Sequence, residues 1–533
     1  MNQTAAFLLT ILPILVILAM LIIWRKPADI TGVVGWAAVC IVAMLFFRTG
    51  ISVVIRSSLV GLISSFSVSL MVAASLLQIT VMQKTGALRR VIIFIKTIST
   101  EDKAASIMII NIGFGILMVS VGATPVSVLP PILLAMGYST YIAIVLPAIG
   151  YDALCTYALL GAPIVAFVDV ANAFFKDQGI VLTPSDVGRV FFMFLPVVST
   201  LIGFSMLWIV GKWAAVKKGV VPVLISGVVI TITSYFTNRV DNFVTLTGII
   251  CGAAVILVMA AYLKLRGKKL FDRSILTADE IAFEKEMPLW RAFMPWILLT
   301  AIILILNVPK PIFNELYYKL LMPVTGLAAD GSPVKTRALW SAYTWLVVST
   351  IIALPFLKVK KGVISDSLRT WLKRAPRPVF AAAIFFSIGS VMQMSGYDPA
   401  SKAYVVPSMV KTLADVSATT FHTGYAFISS FVGLLGGFIT GSEASAIGMF
   451  GRYVLQTANN LGLDREGAIL IAAALAFGSG LASVISPAKL QNAAASIDKL
   501  GEENKVIRVA FVFSIILTTV SALFAGILMF ATK

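Results

Sequence analysis

One stretch of the chain joins a glycine-rich apolar segment to a short polar turn: Phe431-Val-Gly-Leu-Leu-Gly-Gly-Phe-Ile-Thr440-Gly-Ser-Glu-Ala-Ser445. The surrounding sequence is apolar enough for a membrane helix, but regular helix is hard to sustain at these glycines and a carboxylate is costly there. A break in a membrane helix exposes backbone N–H and C=O groups that need partners. The stretch therefore predicts a broken helix whose exposed groups bind a small anionic solute.

The whole chain has the composition of an integral membrane protein. Its 533 residues are 59% hydrophobic and 12% charged, and the mean hydropathy is +0.97. Soluble proteins carry about 25% charged residues. Apolar runs of roughly 17–25 residues, long enough to span a bilayer, recur from end to end. We predict an all-α polytopic membrane protein with about 12–14 transmembrane helices. The first run lacks a basic leading segment and a cleavage site, so we expect it to be retained.

The net charge of +18 comes mainly from a few basic loops. These are Arg25/Lys26, 84–103, 212–218, 264–273 and 358–377. Lys and Arg accumulate in cytoplasmic loops, so the pattern predicts a multi-pass cell-membrane protein with its N-terminus outside and its basic loops in the cytoplasm. Because the charge is an orientation signal, it does not indicate nucleic-acid binding.

Residues typical of metal, redox or nucleotide chemistry are scarce. The three cysteines, Cys40, Cys155 and Cys251, lie in separate apolar runs, and there is one histidine, so neither a disulfide framework nor a metal site is expected. The sequence has no Walker A or HExxH pattern. We therefore expect no cofactor and no enzymatic activity.

Three features occur in the same order in both halves of the chain. The matching pairs are Val81-Met-Gln-Lys-Thr-Gly86 with Val391-Met-Gln-Met-Ser-Gly396, 113–131 with 431–445, and Leu160-Gly-Ala-Pro163 with Ile485-Ser-Pro487. Paired broken helices in corresponding halves indicate the binding site of a secondary transporter. We therefore predict two inverted repeats, each with a broken helix or re-entrant hairpin.

This pattern divides the chain into three parts. The first repeat spans 1–189, with breaks at 113–131 and 160–163, and the second spans 378–533, with breaks at 431–445 and 485–489. Between them, 190–377 contains smoother apolar spans that suit a scaffold around a mobile transport core. Loop 264–290 carries both charge signs at helical spacing, which predicts a short surface helix on the cytoplasmic side.

Small polar residues at the breaks are the candidate substrate ligands. A helix N-terminus carries about half a positive charge and free N–H donors, so it suits a carboxylate. The candidates are Gly122, Thr124, Ser127, Thr440, Gly441, Ser442, Ser445, Ser486 and Lys489. The alternative is that the glycines and hydroxyl residues serve close helix packing, and that Lys489 extends to the membrane interface.

Three titratable residues are candidates for ion coupling: Glu443, Asp152 and His422. A carboxyl group inside the membrane is a functional candidate by default, and Glu443 can act as a proton carrier. The alternatives are a helix-capping role for each carboxylate and a capping or packing role for His422.

Four segments together resemble the C-terminal half of the L-lactate permease family. They are Val391-Met-Gln-Met-Ser-Gly396, His422-Thr-Gly-Tyr-Ala-Phe427, Leu435-Gly-Gly-Phe-Ile-Thr-Gly-Ser-Glu-Ala-Ser445 and Ile485-Ser-Pro487. The resemblance implies a proton symporter for a 2-hydroxy monocarboxylate such as lactate or glycolate. It also implies the inverted repeats, re-entrant hairpins and elevator movement of the wider ion transporter superfamily, in which homodimers are common.

The N-terminal half departs from that family. Ser120-Val-Gly-Ala-Thr-Pro-Val-Ser-Val-Leu-Pro-Pro131 lacks the acidic residue and most of the glycines of the family pattern, and Lys489 adds a cation. Our first hypothesis is a symporter for a small organic anion, with a proton ahead of sodium as the coupling ion. A carrier of a dicarboxylate or a sulfonate and an anion channel are the alternatives.

Overall fold

The computed structural model describes residues 2–98, 101–499 and 501–531. Residues 99–100 of the basic loop 84–103, Met1 of the first repeat, and residues 500 and 532–533 of the second lie outside these ranges. In the described residues, twelve helical segments are long and apolar enough to cross a membrane. The prediction of an all-α polytopic membrane protein is confirmed.

The first third of the chain forms eleven α-helices. They are α1 (Gln3–Ile22), α2 (Ala28–Phe46), α3 (Ile51–Ser64), α4 (Phe66–Lys84), α5 (Ala87–Lys96), α6 (Lys103–Ile107), α7 (Gly115–Ser120), α8 (Pro125–Ala135), α9 (Thr140–Gly150), α10 (Ala158–Phe174) and α11 (Pro184–Phe191). A π-helical segment, Met108–Phe114, joins α6 to α7, and a 3₁₀ segment, Tyr151–Tyr157, joins α9 to α10.

The middle of the chain contains the long helices and a short hairpin. The helices are α12 (Leu195–Thr237), α13 (Asp241–Val244), α14 (Thr247–Leu265), α15 (Ala278–Glu286), α16 (Leu289–Asn307), α17 (Lys310–Asn314), α18 (Ala342–Ala353) and α19 (Val363–Arg374). Strands β1 (Pro323–Val324) and β2 (Val334–Lys335) pair antiparallel, with Pro323 opposite Lys335. The α12 range is interrupted at Gly211 and Lys212, which divides it into two helical parts.

The last part of the chain adds seven helices and a second hairpin. The helices are α20 (Pro376–Met394), α21 (Met409–Phe421), α22 (Tyr425–Thr440), α23 (Glu443–Asn460), α24 (Arg465–Ser483), α25 (Pro487–Ala495) and α26 (Glu503–Ala531). Strands β3 (Tyr397–Asp398) and β4 (Ala403–Tyr404) pair antiparallel.

The apolar run that contains α3 and α4 is not one continuous helix, because Ser65 separates the two. The Ser65 hydroxyl donates to the Leu62 carbonyl at 2.7 Å, and the Ser69 hydroxyl donates to the Ser65 carbonyl at 3.1 Å. Serine hydroxyls that bond back to helix carbonyls compete with the regular ladder and bend helices.

Two of the spans at the breaks are strongly enclosed. Within the apolar window of each span, 89% of α24 and 83% of Thr140–Phe174 is buried, against 33% of α14 and of α16. A membrane helix that is mostly uncovered faces lipid, whereas an enclosed one packs against protein. The apolar faces of α14 and α16 are therefore largely uncovered, as are those of α1, α2 and α26.

The matching features of the two halves have matching backbone conformations. Gly86 after α4 and Gly396 after α20 have φ values of 81° and 79°, and Gly122 after α7 and Gly441 after α22 have 90° and 69°. Left-handed backbone of this kind ends helices and is accessible to glycine at little cost. The repeated glycines therefore end corresponding helices in each half.

The surface helix predicted within loop 264–290 is present as α15, and it is tied to α5. Arg90 pairs with Glu284 at 3.0 Å, and Lys96 pairs with Glu280 at 2.9 Å. All four side chains are less than one-fifth exposed. The loop is therefore a fixed part of the structure rather than a loose linker.

A partly buried ion pair joins α10 to the segment before α18. Arg337 contacts both carboxylate oxygens of Asp169 at 2.8 Å and donates to the Tyr317 carbonyl at 2.9 Å. Burial by itself lowers the pKa of the Arg337 guanidinium, but the neighbouring Asp169 carboxylate outweighs it, so the pKa lies above its ordinary value. Arg337 therefore stays charged.

Replacing Asp169 with asparagine is expected to lower the free energy of unfolding by about 2–3 kcal/mol, because a buried guanidinium then lacks its counter-charge. Thermal unfolding of the purified protein in detergent measures the change. Glu315→Gln is the control: it removes an exposed pair with Lys319, which is worth at most about 0.5 kcal/mol. Equal effects of the two variants would show that the Asp169–Arg337 pair is not a structural link.

Candidate functional site

The C-terminal break lies between α22 and α23 and is held together by its own hydroxyl groups. Gly441 takes the left-handed conformation and Ser442 is extended, with φ of −150°. The Thr440 hydroxyl donates to the Ser442 carbonyl at 2.8 Å and accepts from the Ser442 N–H at 3.2 Å. The Ser442 hydroxyl accepts from the Ser445 N–H at 3.4 Å. These residues therefore shape the turn, and the first N–H groups of α23 remain without intrahelical partners.

A second break, between α24 and α25, lies against the first. A Cβ atom added to Gly441 would lie 2.9 Å from the Ser486 hydroxyl oxygen. Ser486 is 5% exposed and immediately precedes α25, which begins with a proline. The sequence-predicted ligands Gly441 and Ser486 are therefore neighbours.

The N-terminal half supplies an irregular segment at 151–161. Leu154 leaves helical geometry, with φ of −133°, and Leu159, Leu160 and Gly161 have consecutive φ values of 52°, 56° and 72°. Left-handed backbone costs about 1–2 kcal/mol for each non-glycine residue, and such strain is concentrated at functional sites. Beside it, a cavity of about 30 Å³ is lined by Leu159, Leu160 and Thr245 among others.

Glu443 lies between the two halves. It is 2% exposed, and within the described part of the chain neither carboxyl oxygen makes a hydrogen bond of good geometry. A Cβ atom added to Gly480 of α24 would lie 2.8 Å from Glu443 Oε2 and 3.2 Å from Cys155 Cβ. The Cys155 thiol and the Thr156 hydroxyl lie close to the same carboxyl group. The carboxyl group therefore lies between α24 and the 151–157 segment, where an ionised form lacks adequate solvation.

Lys489 brings a positive charge to the same place. Its Nζ lies 5.0 Å from the centre of the Tyr151 ring, within cation–π range, and it interacts electrostatically with Asp152. Asp152 is 3% exposed. The two carboxylates, Asp152 and Glu443, and the Lys489 ammonium thus form one cluster to which both halves of the chain contribute.

Three residues from the first broken segment lie elsewhere. A Cβ atom on Gly122 would lie 3.1 Å from Ser75 Cβ and 3.4 Å from Leu346 Cδ1, so Gly122 faces α4 and α18. Thr124 and Ser127 are partly exposed at the start of α8, which packs against α25. In the described ranges, no hydrogen bond joins either hydroxyl to the 440–445 turn. Their link to the cluster is through α25.

His422 is not brought to the cluster. It is exposed and precedes α22, whereas Thr440 is the last residue of that helix. At 1.5 Å per residue, the 16 residues of α22 separate the two ends by roughly 24 Å. His422 is therefore a capping or surface residue in this arrangement. Sequence reasoning missed Tyr151, Cys155, Thr156 and Gly480; only Asp152, a carboxylate within the same apolar run, pointed to the region of the first three.

The model of the L-lactate permease family matches residues 6–532. The chain belongs to the L-lactate permease family. The family resemblance drawn from the four C-terminal segments is thereby confirmed. Family membership also places the cluster around Glu443 in a permease.

Individual relatives cover nearly the same length. The L-lactate permease of Streptococcus iniae is 24% identical over 465 residues, covering 86% of this chain and 92% of that protein. The L-lactate permease of Escherichia coli K12 is 21% identical over 551 residues, covering 97% and 95%. Glycolate permease GlcA of the same strain is 23% identical over 558 residues, covering 96% and 94%.

Proposed function

We propose that this permease is a secondary transporter that moves lactate, glycolate or a closely similar 2-hydroxy monocarboxylate together with a proton. The observation that carries the proposal is the Glu443 carboxyl group, which is buried beside Lys489 and Asp152 and, among the described residues, makes no hydrogen bond of good geometry. The named activities of the relatives, L-lactate permease and glycolate permease, supply the substrate class.

Charge balance explains why a proton and an anion travel together. With Asp152 and Glu443 ionised and Lys489 protonated, the cluster carries a net negative charge and repels an anion. Protonation of Glu443 leaves Asp152 and Lys489 balanced, so a monocarboxylate can approach the Lys489 ammonium and the free N–H groups of α23. Proton binding then favours anion binding, and by linkage the reverse holds. One ammonium group suits one carboxylate, which favours a monocarboxylate over a dicarboxylate.

The small polar residues of the breaks have two roles in this proposal. Thr440 and Ser442 hold the turn open, so that the N-terminus of α23 points at the anion. Ser445, fully buried with its hydroxyl unpartnered, and Ser486 are the side chains available to the substrate hydroxyl group. Thr124 and Ser127 lie on the side from which the substrate enters, where α8 contacts α25.

The proposal keeps the predicted arrangement of the chain. Residues 1–189 and 378–533 are inverted repeats that form the moving core, and 190–377 is the scaffold. Movement is of the elevator type, the basic loops face the cytoplasm with the N-terminus outside, and a homodimer is the expected assembly. The matching glycine conformations of the two halves and the exposed apolar faces of α14 and α16 support it.

Replacing Lys489 with glutamine is expected to raise the lactate or glycolate concentration for half-maximal uptake by about 10- to 100-fold, because a charge-assisted contact worth roughly 1.5–3 kcal/mol is lost. Uptake and counterflow of labelled substrate into proteoliposomes measure it. Lys489→Arg keeps the charge and should retain much of the affinity.

Lys499→Gln is the control, since Lys499 is exposed just after α25, and its affinity should equal that of the wild type. An unchanged affinity in Lys489→Gln would show that Lys489 does not bind the substrate.

Selective uptake of a dicarboxylate or sulfonate would overturn the proposed substrate class. Single-channel current without counterflow would replace the carrier with an anion channel.

A further inference from the structure

Helix α19 presents two distinct faces, one packed against the protein and one uncovered. On the packed face, Ser367 is 1% exposed, and the Trp371 indole N–H donates to the Ala73 carbonyl of α4 at 2.8 Å. On the other face, Ile364, Leu368 and Leu372 are 46%, 42% and 61% exposed. These residues are four apart and form one apolar stripe along the helix. The packed face fixes the direction in which this stripe points.

Cations border the apolar stripe. Lys358, Lys360 and Lys361 precede the helix, and Arg369 and Lys373 lie next to Leu368 and Leu372; all five are exposed. Other charges nearby are paired: Lys84 contacts Asp366 at 2.6 Å and Arg377 contacts Asp29 at 2.7 Å. In the portion of the chain that the structure describes, none of the five has a carboxylate within ion-pair distance.

The position of α19 in the chain places it at the membrane surface. It follows the apolar helix α18 and ends two residues before α20, one of the twelve segments able to cross a membrane. A short helix that leads directly into a membrane-crossing segment lies close to the bilayer surface. A helix with an apolar face and basic flanks in that position lies in the interface plane, with its cations at the level of the lipid phosphates.

We propose that the outer face of α19 is a binding surface for anionic phospholipid. Ile364, Leu368 and Leu372 contact the acyl chains, while Arg369, Lys373 and the Lys358–Lys361 run contact the phosphate groups. An open groove is lined by these apolar side chains together with Arg369 and Lys373, so both parts of a lipid meet one continuous surface. Because Trp371 joins α19 to α4, bound lipid also restrains the helix that ends just before Gly86.

The test compares purified protein titrated with phosphatidylglycerol or phosphatidylcholine in mixed micelles, with the thermal unfolding midpoint as readout. The variant is Lys360→Gln/Lys361→Gln/Arg369→Gln/Lys373→Gln. Phosphatidylglycerol should raise the midpoint of the wild type at low mole fraction, since ligands that bind the folded state stabilise it. The variant should need at least about tenfold more phosphatidylglycerol for half of that shift, because each cation near the surface adds to lipid affinity.

A matched variant removes the same number of exposed cations from other basic loops: Lys217→Gln/Lys218→Gln/Lys268→Gln/Lys269→Gln. It should respond to phosphatidylglycerol like the wild type. An equal loss in both variants would mean a general charge effect and overturn the site. If the α19 variant instead separates a dimer in phosphatidylcholine alone, the face is an interface between copies of the chain, and the lipid proposal fails. Hydrogen exchange of 363–374 should slow with phosphatidylglycerol in the wild type only.

Discussion

Glu443→Gln is expected to abolish substrate-driven proton movement in proteoliposomes loaded with a pH-sensitive dye. Glutamine has nearly the same shape as glutamic acid but does not bind and release a proton. The carboxyl oxygens make no hydrogen bond of good geometry, so the substitution removes no such bond and the protein should fold. Counterflow of labelled lactate or glycolate, which needs no net proton movement, should persist in the variant.

Glu466→Gln provides the control for Glu443, because Glu466 is an exposed carboxylate in the first turn of α24. Its proton movement should match that of the wild type. The pH profile gives an independent readout: wild-type uptake should fall as the external pH rises, while exchange by Glu443→Gln should be nearly independent of pH. Undiminished proton movement in Glu443→Gln would exclude Glu443 as the proton carrier and would favour Asp152 in that role.

Gly478→Ala is expected to lower the free energy of unfolding by about 1–3 kcal/mol or more, the range for overpacking an interior contact. A Cβ atom on Gly478 would lie 1.9 Å from the Ser430 carbonyl oxygen of α22. Gly433 and Gly437 approach the backbone of α24 equally closely, at 2.0 and 2.1 Å. Small residues allow such close crossings of membrane helices, and a methyl group here forces α22 and α24 apart.

Gly526→Ala is the opposite case in the same half of the chain. Gly526 lies within α26, and a Cβ atom there would meet nothing within 4 Å. Alanine favours helix over glycine by about 1 kcal/mol, so thermal stability should stay constant or rise slightly. A stability loss in Gly526→Ala as large as that in Gly478→Ala would show that glycine content, rather than the α22–α24 crossing, controls stability.

Sequence patterns predicted the breaks well because the cause of each break is local. Gly441 adopts left-handed backbone, and Thr440 and Ser442 bond within their own turn, so three adjacent residues determine the geometry. The same holds for Gly86 and Gly396, whose φ values agree within a few degrees. The approximate number of spans also follows from apolar length, whereas the divisions at Ser65 and at Gly211–Lys212 do not.

The cluster around Glu443 could not be predicted in the same way, because it depends on which distant segments meet. Nothing in the local sequence of Cys155 or Gly480 places them beside Glu443. Likewise, the sequence around Tyr151 does not show that Lys489 lies over its ring. The position of Gly122 has the same origin. Gly122 matches Gly441 in pattern and in φ, yet it packs against Ser75 and Leu346, because its neighbours come from α4 and α18.

The contact of Glu443 with Cys155 also bears on how the protein is made. The ribosome synthesises the segment with Asp152 and the left-handed run Leu159–Gly161 well before it synthesises α23, α24 and Lys489. In a chain inserted only as far as the middle helices, the Asp152 carboxylate and the left-handed backbone of Leu159–Gly161 lie in the bilayer without the neighbours that they have in the complete protein. Until then, water, lipid headgroups or an insertion factor must supply the polar contacts of the earlier half. The central cluster is therefore among the last parts of the molecule to form.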